Sequence, residues 1–80
     1  MAKKVQIYTT DTCHFCHLAK EFFKANNVDY EEINVTRDVA KQQEMINKSG
    51  QMGVPIIDVG GEIVIGFNER KLRELLEITG

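Results

Sequence analysis

The first part of the chain changes from a two-residue to a three-to-four-residue spacing of apolar side chains. Between residues 4 and 9, Val5 and Ile7 alternate with Gln6, which predicts a strand. The polar residues 10–12 then predict a turn and a helix cap. From Cys13 to about Asn26 the apolar side chains recur every three or four residues, which predicts a helix. These side chains are Phe15, Leu18, Ala19, Phe22 and Phe23.

A second strand and a second helix follow. Residues 29–35 predict the strand, since aromatic and β-branched side chains favour strands. Thr36 is a plausible N-cap for a helix to about Ser49, and Gly50 suits its end. The inner face of this helix is expected to be Val39, Ala40 and Ile46.

The last third predicts a hairpin and a helix. Two short apolar runs, residues 54–59 and 62–65, flank the pair Gly60-Gly61, which is typical of a hairpin. Asn68 could cap a final helix. Its expected inward side chains are Leu72, Leu75, Leu76 and Ile78.

The order of elements is therefore β-α-β-α-β-β-α. A β-α-β unit implies two parallel strands with a right-handed crossover, and the hairpin adds an antiparallel pair. The expected fold is α/β, with a four-stranded mixed sheet covered on both faces by three helices. The 80 residues are expected to form a single domain over residues 1–80.

Composition and charge narrow the class of protein. With 42% hydrophobic and 28% charged residues, the chain has an ordinary globular composition. A net charge of −2 gives no reason to expect nucleic acid or a membrane as a partner. No run approaches the roughly 20 apolar residues of a membrane span, and the opening residues do not resemble an export signal. The expected location is the cytoplasm, and the expected state is a monomer, because the apolar faces are used in covering one sheet.

The segment Cys13-His14-Phe15-Cys16-His17 carries the chemistry. It holds both cysteines of the chain, three residues apart at a strand-to-helix junction. Two such cysteines in a reducing compartment are more often catalytic or metal-binding than structural. A helix N-terminus lowers the pKa of a thiol placed there, and the thiolate is the attacking species in disulfide exchange. We therefore expect Cys13 to be the nucleophile and Cys16, nearly one turn further on, to be the resolving thiol.

Residues around the pair allow two interpretations each. A charged His14 could steady the Cys13 thiolate, or His14 could simply face solvent. His17 could relay protons or lie on the surface. A carboxylate of Asp11 close to Cys13 would raise the pKa of that thiol, or Asp11 could serve as a turn or cap residue. Pro55 opens a strand, and base rates favour a trans peptide bond there.

The same five residues also fit a haem-attachment motif. In that case Cys13, Cys16 and His17 would hold the haem, with Met45 or Met52 as second axial ligand. Four strand-like runs argue against a small helical cytochrome. A metal or iron–sulfur module is a third possibility, although zinc usually takes four ligands from separated pairs.

Three separated motifs give the chain its resemblance to a family. They are Cys13-His14-Phe15-Cys16, Gly53-Val54-Pro55 and Ile65-Gly66-Phe67-Asn68-Glu69. In this order and at these separations they resemble a glutaredoxin of the thioredoxin superfamily, and most of all the small glutaredoxin-like YruB family. The resemblance covers essentially the whole chain.

The resemblance implies a thioredoxin-like fold and a glutathione-dependent thiol–disulfide oxidoreductase. Glutathione would be the co-substrate, with no tightly bound cofactor and no metal. The partners would be disulfide-bearing or glutathionylated proteins. The peptide bond from Val54 to Pro55 is expected to be cis and to face Cys13, with the Val54 backbone pairing with an extended substrate. The residues implied in substrate or glutathione binding are Thr12, His14, Phe15, Val54, Pro55, Gly66, Phe67 and Asn68.

Several positions depart from the usual glutaredoxin pattern. Thr10 stands where many members have lysine, and Asn68-Glu69 stands where a pair of aspartates is usual. Gly66-Phe67 is similar to the redoxins linked to ribonucleotide reductase, which take electrons from thioredoxin reductase. An alternative function is therefore a redoxin of that kind.

Overall fold

A computed structural model describes residues 4–78 of the chain. Residues 1–3, part of the segment judged for an export signal, and residues 79–80 lie outside that range. The strands are β1 (Val5–Thr9), β2 (Glu31–Asn34), β3 (Ile56–Val59) and β4 (Glu62–Ile65). The helices are α1 (His14–Ala25), α2 (Val39–Ser49) and α3 (Glu69–Leu76). This is the predicted order of elements.

The four strands form one mixed sheet in the order β2-β1-β3-β4. β1 is parallel to β2, and β3 is antiparallel to both β1 and β4. The register sets Thr9 opposite Asn34, Tyr8 opposite Ile56, and Ile56 opposite Ile65. The last residues of β1, β2 and β4 and the first residue of β3 therefore share one end of the sheet, here called the cysteine end, because Cys13 follows β1 there.

The sheet has an apolar cluster on each face, as its alternating strand pattern requires. One cluster packs the sheet against α1 and α3 and is built from Val5, Ile7, Ala19, Phe22, Phe23, Ile57, Val59, Val64 and Leu72. The other lies under α2 and is built from Tyr8, Val35, Met45 and Ile56. The predicted four-stranded mixed sheet covered on both faces is confirmed. Among residues 4–78, no helix is both long and apolar enough to cross a membrane.

The second helix differs from the prediction. Its N-cap is Asp38, whose side chain accepts the Lys41 N–H, and not Thr36. Val39 is 77% exposed and Ala40 is exposed, while the buried residue of this helix is Met45. The expected inner face was therefore wrong for Val39 and Ala40. Met45 alone among the residues of α2 is buried, so the helix packs on the sheet through a narrow stripe and its first turn is exposed at Val39 and Ala40.

Two further differences have local causes. Phe15, expected on the buried face of α1, is 57% exposed, because the buried stripe of this helix runs through Cys16, Ala19, Phe22 and Phe23 and leaves Phe15 at its margin. The predicted strand 54–59 begins only at Ile56, since Pro55 has no N–H to give to a strand ladder. Gly50, with φ of +77°, ends α2 in the left-handed conformation as predicted.

Candidate functional site

Cys13 is the N-cap of α1 rather than a residue of its first turn. Its backbone is extended, with φ of −88° and ψ of 108°, and its Sγ accepts the Cys16 N–H at 3.1 Å. The two cysteines form a disulfide with Cα atoms 5.2 Å apart. The spacing C-x-x-C thus brings both sulfurs together at the cysteine end, as the sequence predicted.

The two sulfurs have different surroundings. Cys13 is half-buried, whereas Cys16 is 1% exposed. The Cys16 Sγ lies 3.9 Å from the Tyr8 carbonyl oxygen. When the disulfide is reduced, the Cys16 thiol can donate a weak hydrogen bond to that carbonyl. A reagent from solvent therefore meets Cys13 first, and Cys16 stays within reach of it.

Both histidines of the motif lie on the surface of α1. His14 is exposed, and its ring meets the Phe15 ring edge-on at 5.6 Å. His17 Nε2 lies 3.4 Å from a Glu21 carboxylate oxygen. Within residues 4–78 neither imidazole hydrogen-bonds a cysteine sulfur. Thr12, in the turn before the pair, is exposed as well.

Asp11 is a turn residue, and it ties the turn before Cys13 to the segment after β2. Its carboxylate accepts a hydrogen bond from the Asn34 side-chain amide at 2.8 Å. Its backbone N–H donates to the Thr36 hydroxyl at 2.9 Å. The Thr36 N–H donates to the Asn34 side-chain oxygen at 2.9 Å, which closes a ring of three hydrogen bonds. We call Asp11, Asn34 and Thr36 the turn clamp.

The Val54–Pro55 peptide bond is cis, as the family resemblance implied and against the base rate. Pro55 is buried and Val54 half-buried, packed against the cluster under α2. Because Ile56 lies opposite Tyr8, residues 54–55 come to the same sheet end as the turn that leads into Cys13. The structure thus brings the first two motifs together.

The third motif joins them through Gly66. The Gly66 N–H donates to the Pro55 carbonyl at 2.8 Å, and Gly66 has φ of +77°. Phe67 is half-buried, and its ring meets the Phe22 ring edge-on at 5.9 Å. Asn68 caps α3, with its side-chain oxygen accepting the Lys71 N–H at 3.1 Å. Phe67 therefore packs partly into the core, and the Asn68 side chain already has a helix-capping partner.

A buried hydroxyl lies just before the site. Thr9 is fully buried, and its hydroxyl donates to a Glu32 carboxylate oxygen at 2.8 Å, which also pairs with Lys20 at 3.0 Å. Burial acts to raise the pKa of Glu32, but the hydrogen bonds from Lys20 and Thr9 outweigh it and hold that pKa below its ordinary value. These contacts attach α1 to β2.

A second polar cluster lies under α2. The Tyr8 hydroxyl donates to Glu44, and the Lys48 ammonium lies 5.3 Å from the Tyr8 ring centre and 3.2 Å from Asp58. Burial and the Glu44 carboxylate raise the pKa of Tyr8. Every group in this cluster has a partner of opposite sign or a hydrogen bond, so it stabilises the packing of α2.

No group of three or more His, Cys, Asp and Glu side chains among residues 4–78 is placed to hold a metal ion. The haem interpretation requires a helical cytochrome, and the observed fold is instead a sheet of four strands. The geometry fits exchange between two sulfurs.

Residues 5–64 match the family model described as glutaredoxin. The chain is 40% identical over 73 residues to an "uncharacterized glutaredoxin-like 8.6 kDa protein in rubredoxin operon" of Clostridium pasteurianum, covering 91% of this chain and 97% of that protein. It is 35% identical over 65 residues to glutaredoxin 3 of Escherichia coli K12, covering 81% of this chain and 78% of that one.

Among solved structures, the chain is similar to the thioredoxin-like protein BC3987, with a TM-score of 0.85 and 38% sequence identity. The match covers 91% of this chain and 100% of that one. The predicted thioredoxin-like fold is confirmed. The matched family segment includes Cys13, Cys16 and Pro55, and it ends at residue 64, before Gly66.

Sequence reasoning missed two residues near the site. Asn34 was part of a predicted strand, and Thr36 was assigned to a helix cap, yet both hydrogen-bond Asp11. Their short polar side chains directly after a strand were the available signal, since Asn and Thr often bond to nearby backbone.

Proposed function

The chain belongs to the glutaredoxin family, and from that premise we propose that it is a glutathione-dependent reductase of protein disulfides and glutathione mixed disulfides. Members of the family are thiol–disulfide oxidoreductases, and this chain is one of them. The observation that carries the proposal is the half-buried Cys13 Sγ at the N-terminus of α1, with Cys16 within disulfide reach.

Exchange begins with the Cys13 thiolate. It attacks one sulfur of a substrate disulfide, a new bond forms to the Cys13 Sγ, and the other substrate sulfur leaves as a thiolate. The Cys16 N–H and the α1 N-terminus stabilise negative charge on the Cys13 Sγ. When glutathione attacks a mixed disulfide between Cys13 and glutathione, oxidised glutathione forms and the Cys13 thiolate leaves. When the Cys16 thiolate attacks the mixed disulfide instead, the Cys13–Cys16 disulfide forms and the substrate thiolate leaves.

Glutathione is proposed to lie along the cysteine end of the sheet. The Val54 backbone would pair with it as an added strand, beside the buried ring of Pro55. The exposed Thr12, His14 and Phe15 would border its cysteine. Its γ-glutamyl carboxylate would meet the backbone N–H groups that begin α3, near Gly66, Phe67 and Asn68, because a helix N-terminus favours an anion. No other cofactor is required.

A redoxin that takes electrons from thioredoxin reductase is a second candidate, and one contact favours it. The Asn68 side-chain oxygen already accepts the Lys71 N–H at the start of α3, which leaves one N–H fewer for the carboxylate of glutathione. Thr10, where many glutaredoxins have a lysine, supplies no cation for that carboxylate.

The proposed location is the cytoplasm, where a reducing environment returns the pair to the dithiol after each turnover. The proposed unit is the monomer, with disulfide-bearing or glutathionylated proteins as partners and neither nucleic acid nor a membrane.

The experiment supplies the two reductants separately. Reduction of a glutathione mixed disulfide is followed through NADPH oxidation, with glutathione and glutathione reductase in one assay and thioredoxin reductase in the other. Cys13→Ser is the blank in both. Turnover with glutathione supports the proposal, and turnover only with thioredoxin reductase assigns the second candidate. Full activity of Cys13→Ser would overturn both.

A further inference from the structure

The turn that leads into Cys13 is held from outside by one residue. Among residues 4–78, the hydrogen bonds from residues 10–12 that reach beyond the turn and α1 are those of Asp11, to Asn34 and Thr36. The remaining contact is internal, from the Cys13 N–H to the Thr10 carbonyl at 3.4 Å. The backbone conformation of the turn before Cys13 therefore depends on the turn clamp.

The conformation of that turn sets the position of the Cys13 sulfur. An N-cap residue has non-helical dihedrals, fixed by the preceding turn on one side and the helix on the other. The helix end is held by the buried Cys16, Ala19 and Phe23. The turn end is exposed at Asp11 and Thr12, so packing does not hold it.

We infer that Asn34 is a positioning residue for the Cys13 thiolate, acting through Asp11. Asn34 is suited to this task because one of its side-chain atoms donates to Asp11 while the other accepts from Thr36. A carboxylate at position 34 could accept from Thr36 but has no hydrogen to give to Asp11. Attack by a thiolate depends on its position and orientation relative to the substrate sulfur. Small displacements of a reacting group lower the rate by large factors. The inference rests on the proposed role of Cys13 as the attacking thiol.

The geometry allows a rescue experiment. Asn34→Asp sets two carboxylates face to face and opens the clamp. Adding Asp11→Asn restores it, because the new amide donates to the new carboxylate while Thr36 keeps both of its bonds. The double variant also has the net charge of the wild type. Thr36→Val opens the clamp without any change of charge.

A matched control is available on α2. Asn47 accepts a hydrogen bond from the exposed Gln43 side chain at 3.0 Å, far along the helix from the cysteine end. Asn47→Asp is the same amide-to-acid change, and its oxygen can still accept. It is expected to leave turnover unchanged, within twofold.

The test measures kcat/KM for a glutathione mixed disulfide, the alkylation rate of reduced Cys13, and the urea unfolding midpoint of every variant. Asn34→Asp and Thr36→Val are expected to lower kcat/KM and the alkylation rate about fivefold or more, as for one lost hydrogen bond. The double variant is expected to recover to within twofold of the wild type. Because the unfolding midpoint of every variant is measured, a loss of rate that is caused by unfolding alone can be identified. Such a loss would count against the inference.

Two results would overturn it. One is an Asn34→Asp variant whose kcat/KM and alkylation rate equal those of the wild type while Cys13→Ser is inactive. That result would leave the proposed function intact. The other is a double variant no better than Asn34→Asp. Full activity of Cys13→Ser would instead reject the proposed function itself.

Discussion

The backbone N–H of Cys16 donates a 3.1 Å hydrogen bond to the Sγ of Cys13. The chain thereby points its own helix N-terminus at the more exposed of its two sulfurs, while Cys16 itself is 1% exposed. This contact makes the two cysteines chemically unequal although they belong to one short motif.

Alkylation is therefore expected to distinguish the two cysteines. In the reduced protein, a limiting amount of iodoacetamide should modify Cys13 at least tenfold faster than Cys16, because Cys13 is both reachable and favoured as the thiolate. Peptide mass spectrometry measures the two rates.

The matched variants are Cys16→Ser and Cys13→Ser. The first should keep the fast reaction, and the second should lose it. Equal rates at both cysteines, or faster modification of Cys16, would contradict the assignment of the attacking thiol.

Two phenylalanines of α1 are expected to differ in their effect on stability. Phe23 is fully buried against Tyr30 and the sheet, so Phe23→Ala should lower the free energy of unfolding by about 3–5 kcal/mol. Phe15 is 57% exposed, so Phe15→Ala should change it by about 0.5 kcal/mol or less. Urea unfolding followed by circular dichroism gives both values.

Similar losses in the two variants would show that Phe15 belongs to the core, as its sequence spacing predicted. Ile57→Val, at another fully buried position, provides a milder test of the same cluster, with an expected loss of about 1 kcal/mol.

The difference between Phe15 and Phe23 shows which parts of the molecule the sequence could predict. Periodicity identified the strands and helices, because a sheet with two covered faces needs apolar side chains at fixed intervals. It could not show which side chains at the margin of an apolar face meet the sheet, and so it wrongly predicted that Phe15 and Val39 are buried. That margin depends on how each helix is rotated against the sheet.

The candidate site, too, could be predicted from the sequence only in part. The spacing of Cys13 and Cys16 predicts that the two sulfurs can reach each other, since three residues span nearly one helical turn, but it left haem attachment and a metal site open as alternatives to the observed disulfide. The cis bond before Pro55 required the family resemblance, because base rates favour trans. The contact of Asp11 with Asn34 joins residues 23 apart in sequence, and only the parallel pairing of β1 and β2 brings them together.

Glu32 is expected to make stability depend on acid pH. Its pKa in the folded protein lies below the ordinary 4.5, as the hydrogen bonds from Lys20 and Thr9 outweigh the effect of burial. The folded protein then binds fewer protons than the unfolded chain, so the contribution is present above about pH 4.5 and is lost as the pH falls through the folded pKa. Since the carboxylate is 36% exposed, the loss should be about 1 kcal/mol or less.

Urea unfolding at pH 7 and pH 3 measures this loss. Glu32→Gln should lose less stability between the two pH values than the wild type does. Glu31→Gln is the matched control and should follow the wild type, since it removes the neighbouring carboxylate, which accepts a hydrogen bond from the neutral Gln6 amide. A Glu32→Gln variant with the full wild-type pH dependence would contradict the expectation.

Two glycines near the site are expected to respond oppositely to alanine. Gly66 has φ of +77°, so Gly66→Ala should lower the free energy of unfolding by about 1–2 kcal/mol through backbone strain, although a Cβ there meets no atom within 4 Å. A Cβ on Gly53 meets only a Gln51 side-chain nitrogen, at 3.7 Å, in ordinary contact. Gly53→Ala should therefore be neutral or stabilise by about 0.5 kcal/mol.

Turnover of the Gly66→Ala variant tests the proposed position of glutathione. The Gly66 N–H holds the Pro55 carbonyl at 2.8 Å, so strain at Gly66 displaces the cis-proline segment and the start of α3 together. Gly66→Ala should raise the KM for glutathione more than it lowers kcat, because it disturbs binding and leaves Cys13 in place. An unchanged KM in a folded Gly66→Ala protein would place glutathione away from this segment, and would favour thioredoxin reductase as the source of electrons.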